Sequence, residues 1–296
     1  MQFKHVAIVG LGLIGGSFAL ALKRARLAER ITAWDNEETI REACRRGIID
    51  GREESFGSGG RSDADFIYLA APVGAIINFL FKSGDSLKPG TIVTDAGSTK
   101  REICKAAREK LSGIVSFIGG HPMAGSHKRG IDYADADLFC GAPYAIVPRG
   151  ELKTLDEPYA QAVNTIIEVV SKIGGKPIVL TAEEHDSVVA RVSHAPQLIS
   201  TALAVQAAKS SEEKMIALAG SGFTEMTRLA ASNWSVWEDI CRTNGDEIAC
   251  ALDEFGEAIE SAREAIRNGD FAKVQEAFRA ANEFIDRLQA QRGGAA

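Results

Sequence analysis

A glycine-rich turn between an apolar strand and a helix, a strand-and-helix rhythm that continues to Leu180, and an unbroken helical pattern beyond it predict two domains. Residues 1–180 read as an α/β Rossmann-type dinucleotide-binding domain, and residues 181–296 as an all-α helical domain.

The first strand covers Lys4–Val9, and Gly10-Leu-Gly-Leu-Ile-Gly-Gly-Ser17 then opens a helix through Phe18 and Leu22. Gly10 allows the tight turn, Gly12 lets the backbone approach a pyrophosphate, and Gly15 lets the helix pack against the strand. Leu13 and Ile14 stand in the first helical turn, where the helix N-terminus faces the phosphates. A second strand, Ile31–Trp34, ends at Asp35, placed to accept hydrogen bonds from the adenosine ribose hydroxyls. Glu37 and Glu38 follow and would repel a 2′-phosphate, so NAD is favoured over NADP.

The same rhythm continues downstream. Phe66–Ala71 is a strand ending at Pro72; Thr91–Thr94 is another, ending in Asp95-Ala-Gly-Ser98-Thr-Lys100; Ile114–Ile118 leads into Gly119-Gly-His-Pro-Met-Ala-Gly125. Ligands of open parallel sheets bind beyond the carboxyl ends of the strands. Ala71, Pro72 and Asp95 are therefore expected on the cofactor, with Ser98 and His121 in the same cleft. Tyr144–Val147 is expected to add an edge strand, Leu155–Ile173 an amphipathic helix, and Ile178–Leu180 a last short strand.

Thr181-Ala-Glu-Glu184 is a capping box that opens a long helix, kinked at Pro196. Ala202–Ala208 is so consistently apolar or small that burial on several sides is expected, in a bundle or a dimer. In an unbroken helix His185 and His194, nine residues apart, face opposite sides, whereas Ser193 and Gln197 share a face.

Composition narrows the class of function. With 45% hydrophobic and 25% charged residues in 296, the chain reads as an ordinary soluble globular protein without a bilayer-spanning run. A formal charge of -6 argues against nucleic acid or an anionic membrane as partner, so an anionic substrate needs a locally basic site. The five cysteines are scattered without metal-ligand spacing, which predicts no metal centre and a reducing compartment. An apolar strand begins almost at once, without a charged leader, so a cytoplasmic protein is expected.

His121 lies between Gly120 and Pro122, where the backbone is not helical and an imidazole can be held at the mouth of the sheet. Such an imidazole can take a proton near neutral pH, although a histidine that only hydrogen-bonds its own turn would have the same sequence setting.

Several segments together resemble the prephenate and arogenate dehydrogenases of tyrosine biosynthesis: Val9–Ser17, Asp95–Lys100, Gly120-His-Pro-Met-Ala-Gly125, Glu184-His-Asp186, Val192-Ser-His194 and Thr227-Arg228. The resemblance implies a helical domain that dimerises, an active site between the domains, NAD as cofactor, and oxidative decarboxylation of prephenate; an arogenate or dual-specificity cyclohexadienyl dehydrogenase is the alternative. It implies His121 as the acceptor of the substrate's hydroxyl proton, Ser98 as the group orienting imidazole and hydroxyl, and Arg228 as the clamp on a substrate carboxylate. Capping the following helix is the competing role for Ser98, and a local pair with Glu225 the competing role for Arg228. Trp237 is expected either to wall the substrate pocket or to be plain core.

Two departures bear on specificity. Relatives commonly carry Ser-His-Leu-Pro-His where this chain has Ser193-His-Ala-Pro-Gln197, so a substrate-contacting imidazole becomes a neutral amide beside Ser193. Relatives often carry an acid where this chain has His127, followed by Lys128 and Arg129; this basic cluster favours the keto acid prephenate, unless it is only a solvated loop tip.

Overall fold

The computed structural model describes all residues except 1, 59, 84–85, 112, 114, 126–127, 151–152, 154, 210–211 and 294–296. The first domain runs β1 (Phe3–Val9), α1 (Leu13–Arg24), β2 (Ala28–Trp34), α2 (Glu37–Arg45), β3 (Gly51–Arg52), α3 (Ser55–Ser58), β4 (Phe66–Leu69), α4 (Val73–Ser83), β5 (Ile92–Asp95), α5 (Arg101–Lys110), β6 (Ser116–Pro122), β7 (Pro143–Val147), α6 (Glu157–Lys172) and β8 (Lys176–Val179). Among the described residues the strands form one sheet in the order β3-β2-β1-β4-β5-β6-β7-β8. All neighbours are parallel except β6 and β7. The strand order reverses between β1 and β4, and such a reversal opens a crevice at the carboxyl ends of the strands.

The apolar runs of β1 and β4 are buried because helices cover both faces of the sheet. On one face α1 and α6 pack through Phe18, Leu22, Tyr159, Val163 and Ile166. On the other, α4 and α5 pack through Ile76, Phe79, Leu80, Ile103 and Ala107. Helix starts are fixed locally: the Asn36 side chain accepts from the Thr39 amide, and that of Asp156 from the Tyr159 amide.

The Tyr144–Val147 strand corrects the expectation of an edge. It lies inside the sheet as β7, antiparallel to β6 with His121 opposite Ala145, and β8 forms the edge beyond it. Alternating apolar residues identify a strand, but neighbours are chosen by long-range packing that the local pattern does not encode. The two-residue β3 is too short to leave a periodic signal.

The second domain runs α7 (Ala182–Val189), a π turn (Ala190–His194), α8 (Ala195–Ala208), α9 (Glu212–Leu218), α10 (Ser221–Thr227), a 3-10 turn (Arg228–Ala231), α11 (Trp234–Thr243), α12 (Gly245–Arg267) and α13 (Phe271–Gly293). The expected capping box is present, with Thr181 and Glu184 satisfying each other's amides. The long helix changes its hydrogen-bonding pattern just before Pro196, whose ring nitrogen has no proton to donate. Ala202–Ala208 is not enclosed within one chain: Val205 is 51% exposed. Among the described residues the buried core of this domain is small, comprising Ala190, Ala195, Ile240, Ile248 and Ala251. Ile216, Leu218, Phe278 and Phe284 remain exposed. No helix among the described residues is long and apolar enough to cross a membrane.

Candidate active site

Two cavities flank the glycine turn. One, of about 320 Å³, is lined by Gly12, Leu13 and Ile14, by Ala71 and Pro72 after β4, by Ser98 after β5, and by Lys128 and Arg129. The other, of about 390 Å³, is lined by Gly10, Trp34, Asp35, Arg52 and Ala71. Gly10 has a φ of +92°, and a Cβ there would stand 2.4 Å from the Ala70 carbonyl oxygen. At Gly15 a Cβ would stand 1.9 Å from the Gly10 oxygen, so the helix could not seat on the turn. A Cβ at Gly12 would meet nothing within 4 Å, because that residue borders open cleft.

Asp35 accepts from the Leu11 amide at 2.7 Å and the Asn36 amide at 2.6 Å, and as a carboxylate it retains acceptor sites for a ribose diol. A bare amide turn, an N-terminal helix end and an acid at the tip of β2 fit a dinucleotide lying across both cavities. Arg52 in the second cavity had no strand or motif signal to single it out.

Asp95 plays a different part from the expected cofactor contact: it is fully buried, pairs with the equally buried Lys100, and accepts from the amides of Gly97 at 2.8 Å and Gly120 at 3.0 Å. The pair locks the loop after β5 to the glycines before His121. Ser98 lines the cleft and, among the described residues, makes no hydrogen bond to His121. It does not cap α5 either. That role falls to Asp186 from the second domain, whose oxygens accept from the amides of Lys100 at 2.7 Å and Arg101 at 2.9 Å.

His121 is half-buried at the carboxyl end of β6. Its Nδ1 lies 2.9 Å from Nε2 of His185, and His185 Nδ1 lies 2.8 Å from Asp186 Oδ1. Burial, then the neighbouring His185, Lys100 and His194, hold His121 well below the ordinary histidine range, so it is a neutral imidazole at neutral pH. Burial lowers His185 as well and pushes His194 down to about 4.

The expectation that His185 and His194 face opposite sides is overturned by the π turn at Ala190–His194. A π turn takes in one extra residue, which cuts a separation of about 180° to about 80°. Both rings then act on His121 as neighbours, and Asn244 Nδ2 donates to the Asp186 carbonyl at 2.8 Å and lies 3.3 Å from His194 Nδ1. Trp237 packs edge-on against His194, with ring centroids 6.0 Å apart.

The remaining predicted residues spread outward. Gln197 is buried, donating to the Leu229 carbonyl at 2.7 Å and accepting from Ser232 at 3.1 Å. It thereby ties α8 to the segment that carries Arg228, with Ser193 one turn before it at intermediate exposure. Arg228 is exposed beside a cavity of about 610 Å³ lined also by Arg191, Ser200 and Glu225. It makes no ion pair with Glu225 among the described residues. His127 lies outside the described residues. Sequence reasoning missed Lys100, Asp186 and Asn244 as parts of this cluster; the available signals were the Asp95–Lys100 segment for Lys100 and the Glu184-His-Asp186 motif for Asp186. Among the described residues no group of His, Cys, Asp and Glu is placed to hold a metal ion.

Comparison with known proteins follows the same two-part division. The family model for the prephenate dehydrogenase nucleotide-binding domain matches residues 18–179, and that for the prephenate dehydrogenase dimerization domain matches residues 181–280. The prephenate dehydrogenase of Lactococcus lactis subsp. cremoris is 33% identical over 294 residues, 98% of this chain and 79% of the relative. The cyclohexadienyl dehydrogenase of Zymomonas mobilis subsp. mobilis is 31% identical over 281 residues, 94% of this chain and 93% of the relative. The crystal structure of prephenate dehydrogenase from A. aeolicus with hydroxyphenyl propionate and NAD+ superimposes with a TM-score of 0.83 at 29% identity, covering 100% of this chain and 99% of that one. The chain belongs to the prephenate dehydrogenase family.

Proposed function

We propose that this protein is an NAD-dependent prephenate dehydrogenase, converting prephenate into 4-hydroxyphenylpyruvate and carbon dioxide for tyrosine biosynthesis. The observation that carries the reading is His121 at the carboxyl end of β6, its Nδ1 2.9 Å from His185 Nε2, in a sheet whose neighbouring strand ends border a cleft that fits a dinucleotide. Gly10, Gly12, Gly15 and the first turn of α1 would hold the pyrophosphate and Asp35 the adenosine ribose, and bound NAD supplies an acceptor for hydride.

His121 Nε2 takes the proton of the ring hydroxyl as hydride leaves the same carbon, and the ring carboxylate then departs as carbon dioxide. The electron pair left behind closes the aromatic ring and puts negative charge on the oxygen, which recovers its proton from His121. General-base assistance of this kind contributes about 10² to 10⁴ in rate. Ser98 in the cleft would share the hydroxyl, while Arg228, Ser193, Gln197 and Trp237 would form the substrate side. Lys128 and Arg129 line the cleft and suit a substrate with two carboxylates and no ammonium.

The Zymomonas relative, named for cyclohexadienyl compounds, supports dual use of prephenate and arogenate as the second reading. The exposed apolar residues of α8, α9, α12 and α13 support a homodimer through the second domain, and the five free cysteines support a cytoplasmic setting. Prephenate and arogenate, each offered with NAD and with NADP, test the assignment: kcat/KM is expected to be highest for prephenate with NAD. Turnover of neither acid would overturn it.

A further inference from the structure

The proton transfer described above uses one nitrogen of His121; the other is engaged by residues with no part in it so far. Asp186 is fully buried, and the amides of Lys100 and Arg101 and the Arg101 Nε all donate to it. Its carboxyl lies below the ordinary range although burial opposes this, because His185 and those two amides favour the charged form. A carboxylate has no proton to offer, so the atom facing it, Nδ1 of His185, carries one. Neutral His185 then has a lone pair on Nε2, and the 2.9 Å contact with His121 requires a proton on His121 Nδ1. A neutral imidazole has a single N–H. Nε2 of His121, which has no hydrogen bond among the described residues, is therefore left as a bare acceptor.

We propose that His185, aligned by Asp186, is the positioning residue that fixes His121 as its Nδ1-protonated tautomer and shares the positive charge when Nε2 takes the substrate's proton. The inference rests on the reading of His121 as the base. No bond to carbon is involved: the proton waits on Nε2 while Asp186 balances it through two hydrogen bonds, then returns to the product oxygen. The line crosses the domain boundary, because His121 sits on β6 and its partners on α7. Docking of the second domain thus sets the tautomer. His194, at the end of the π turn, and Asn244, between α11 and α12, join at the Asp186 carbonyl; Lys100, Asp95 and Arg101 are the other charged groups facing the pair.

The tautomer can be read without turnover, from nitrogen NMR of the histidine-labelled full chain with NAD bound, the His121 signals being assigned by their loss in His121→Asn. Neutral His121 is expected to carry its proton on Nδ1; a proton on Nε2 would overturn the proposal. In kinetics, His185→Phe should lower kcat about 10- to 100-fold, leave KM nearly unchanged and displace the acid limb of the kcat/KM profile from its wild-type position. His185→Gln, whose carbonyl oxygen can still accept from Nδ1–H, should recover most of the loss, and it serves as the test if the Phe variant fails to fold. Wild-type kcat and pH profile in His185→Phe, or no recovery in a folded Gln variant, would overturn the assignment. An Nδ1–H in a protein that does not oxidise prephenate would instead leave the tautomer standing and sink the proposed reaction.

Discussion

The amide of Leu11 donates to Asp35 Oδ2 at 2.7 Å, joining the glycine turn after β1 to the end of β2. One carboxylate therefore both braces the turn that receives the phosphates and stands where the ribose hydroxyls arrive. Removing it should weaken NAD by about 10- to 100-fold, the worth of hydrogen bonds to a charged group. Asp35→Ala should weaken NADP much less, since its 2′-phosphate gains nothing from a carboxylate. Fluorescence titration of both nucleotides reads the difference, and equal losses would contradict the ribose role.

The glycines of the turn separate by function. Gly15→Ala drives a Cβ into the Gly10 oxygen and should lower Tm by roughly 5 °C or more. Gly12→Ala meets no protein atom, so its Tm should stay near wild type while NAD affinity falls at least about tenfold, the new methyl standing where the pyrophosphate approaches. Paired thermal and binding measurements check this, and unchanged NAD affinity in Gly12→Ala would mean that the pyrophosphate does not approach Gly12 closely.

Stability should fall on mild acidification. The folded chain holds His121, His185 and His194 below the ordinary value of 6.5, His194 at about 4. The unfolded chain therefore binds more protons as pH drops below 6.5, and stability declines from there until the folded values are reached. His194 alone contributes roughly 3 kcal/mol across this window. Carboxylates held low, such as Asp186 and Glu184, start to cost stability from about pH 5 as their unfolded values are approached, so the interval from pH 6.5 to about 5 belongs to the histidines. Tm at pH 4.5 should lie clearly below Tm at pH 7.5; a flat profile would mean that these rings are charged in the fold.

The features legible in the sequence are those fixed by neighbours along the chain. Gly10, Gly12 and Gly15 between a strand and a helix, Asp35 at the tip of the next strand and the Thr181–Glu184 capping box all depend on local spacing, and all appear as such. What depends on distant packing was not legible. The place of β7 inside the sheet follows from its pairing with β6 and β8. The Asp186 cap on α5 joins residues 86 positions apart, and the convergence of His185 with His194 needs a π turn that ordinary helical spacing does not anticipate. His121 could be placed at a strand end from sequence; its partner on Nδ1 could not.

The second domain leaves Val205 at 51%, Ile216 at 69% and Leu218 at 85% exposure, although these residues are suited to burial. Their cover is expected to be a second copy of this domain. Light scattering after gel filtration should give a dimer for the wild type and a monomer, or a much weaker dimer, for the double variant Ile216→Glu, Leu218→Glu. A monomeric wild-type protein at micromolar concentration would contradict the homodimer.

NADH formation from prephenate by His121→Asn decides whether His121 takes the substrate's proton in an NAD-dependent oxidative decarboxylation. The expected rate is about 10² to 10⁴ below that of the wild type, with NAD affinity unchanged. Turnover at the wild-type rate in this variant would contradict it.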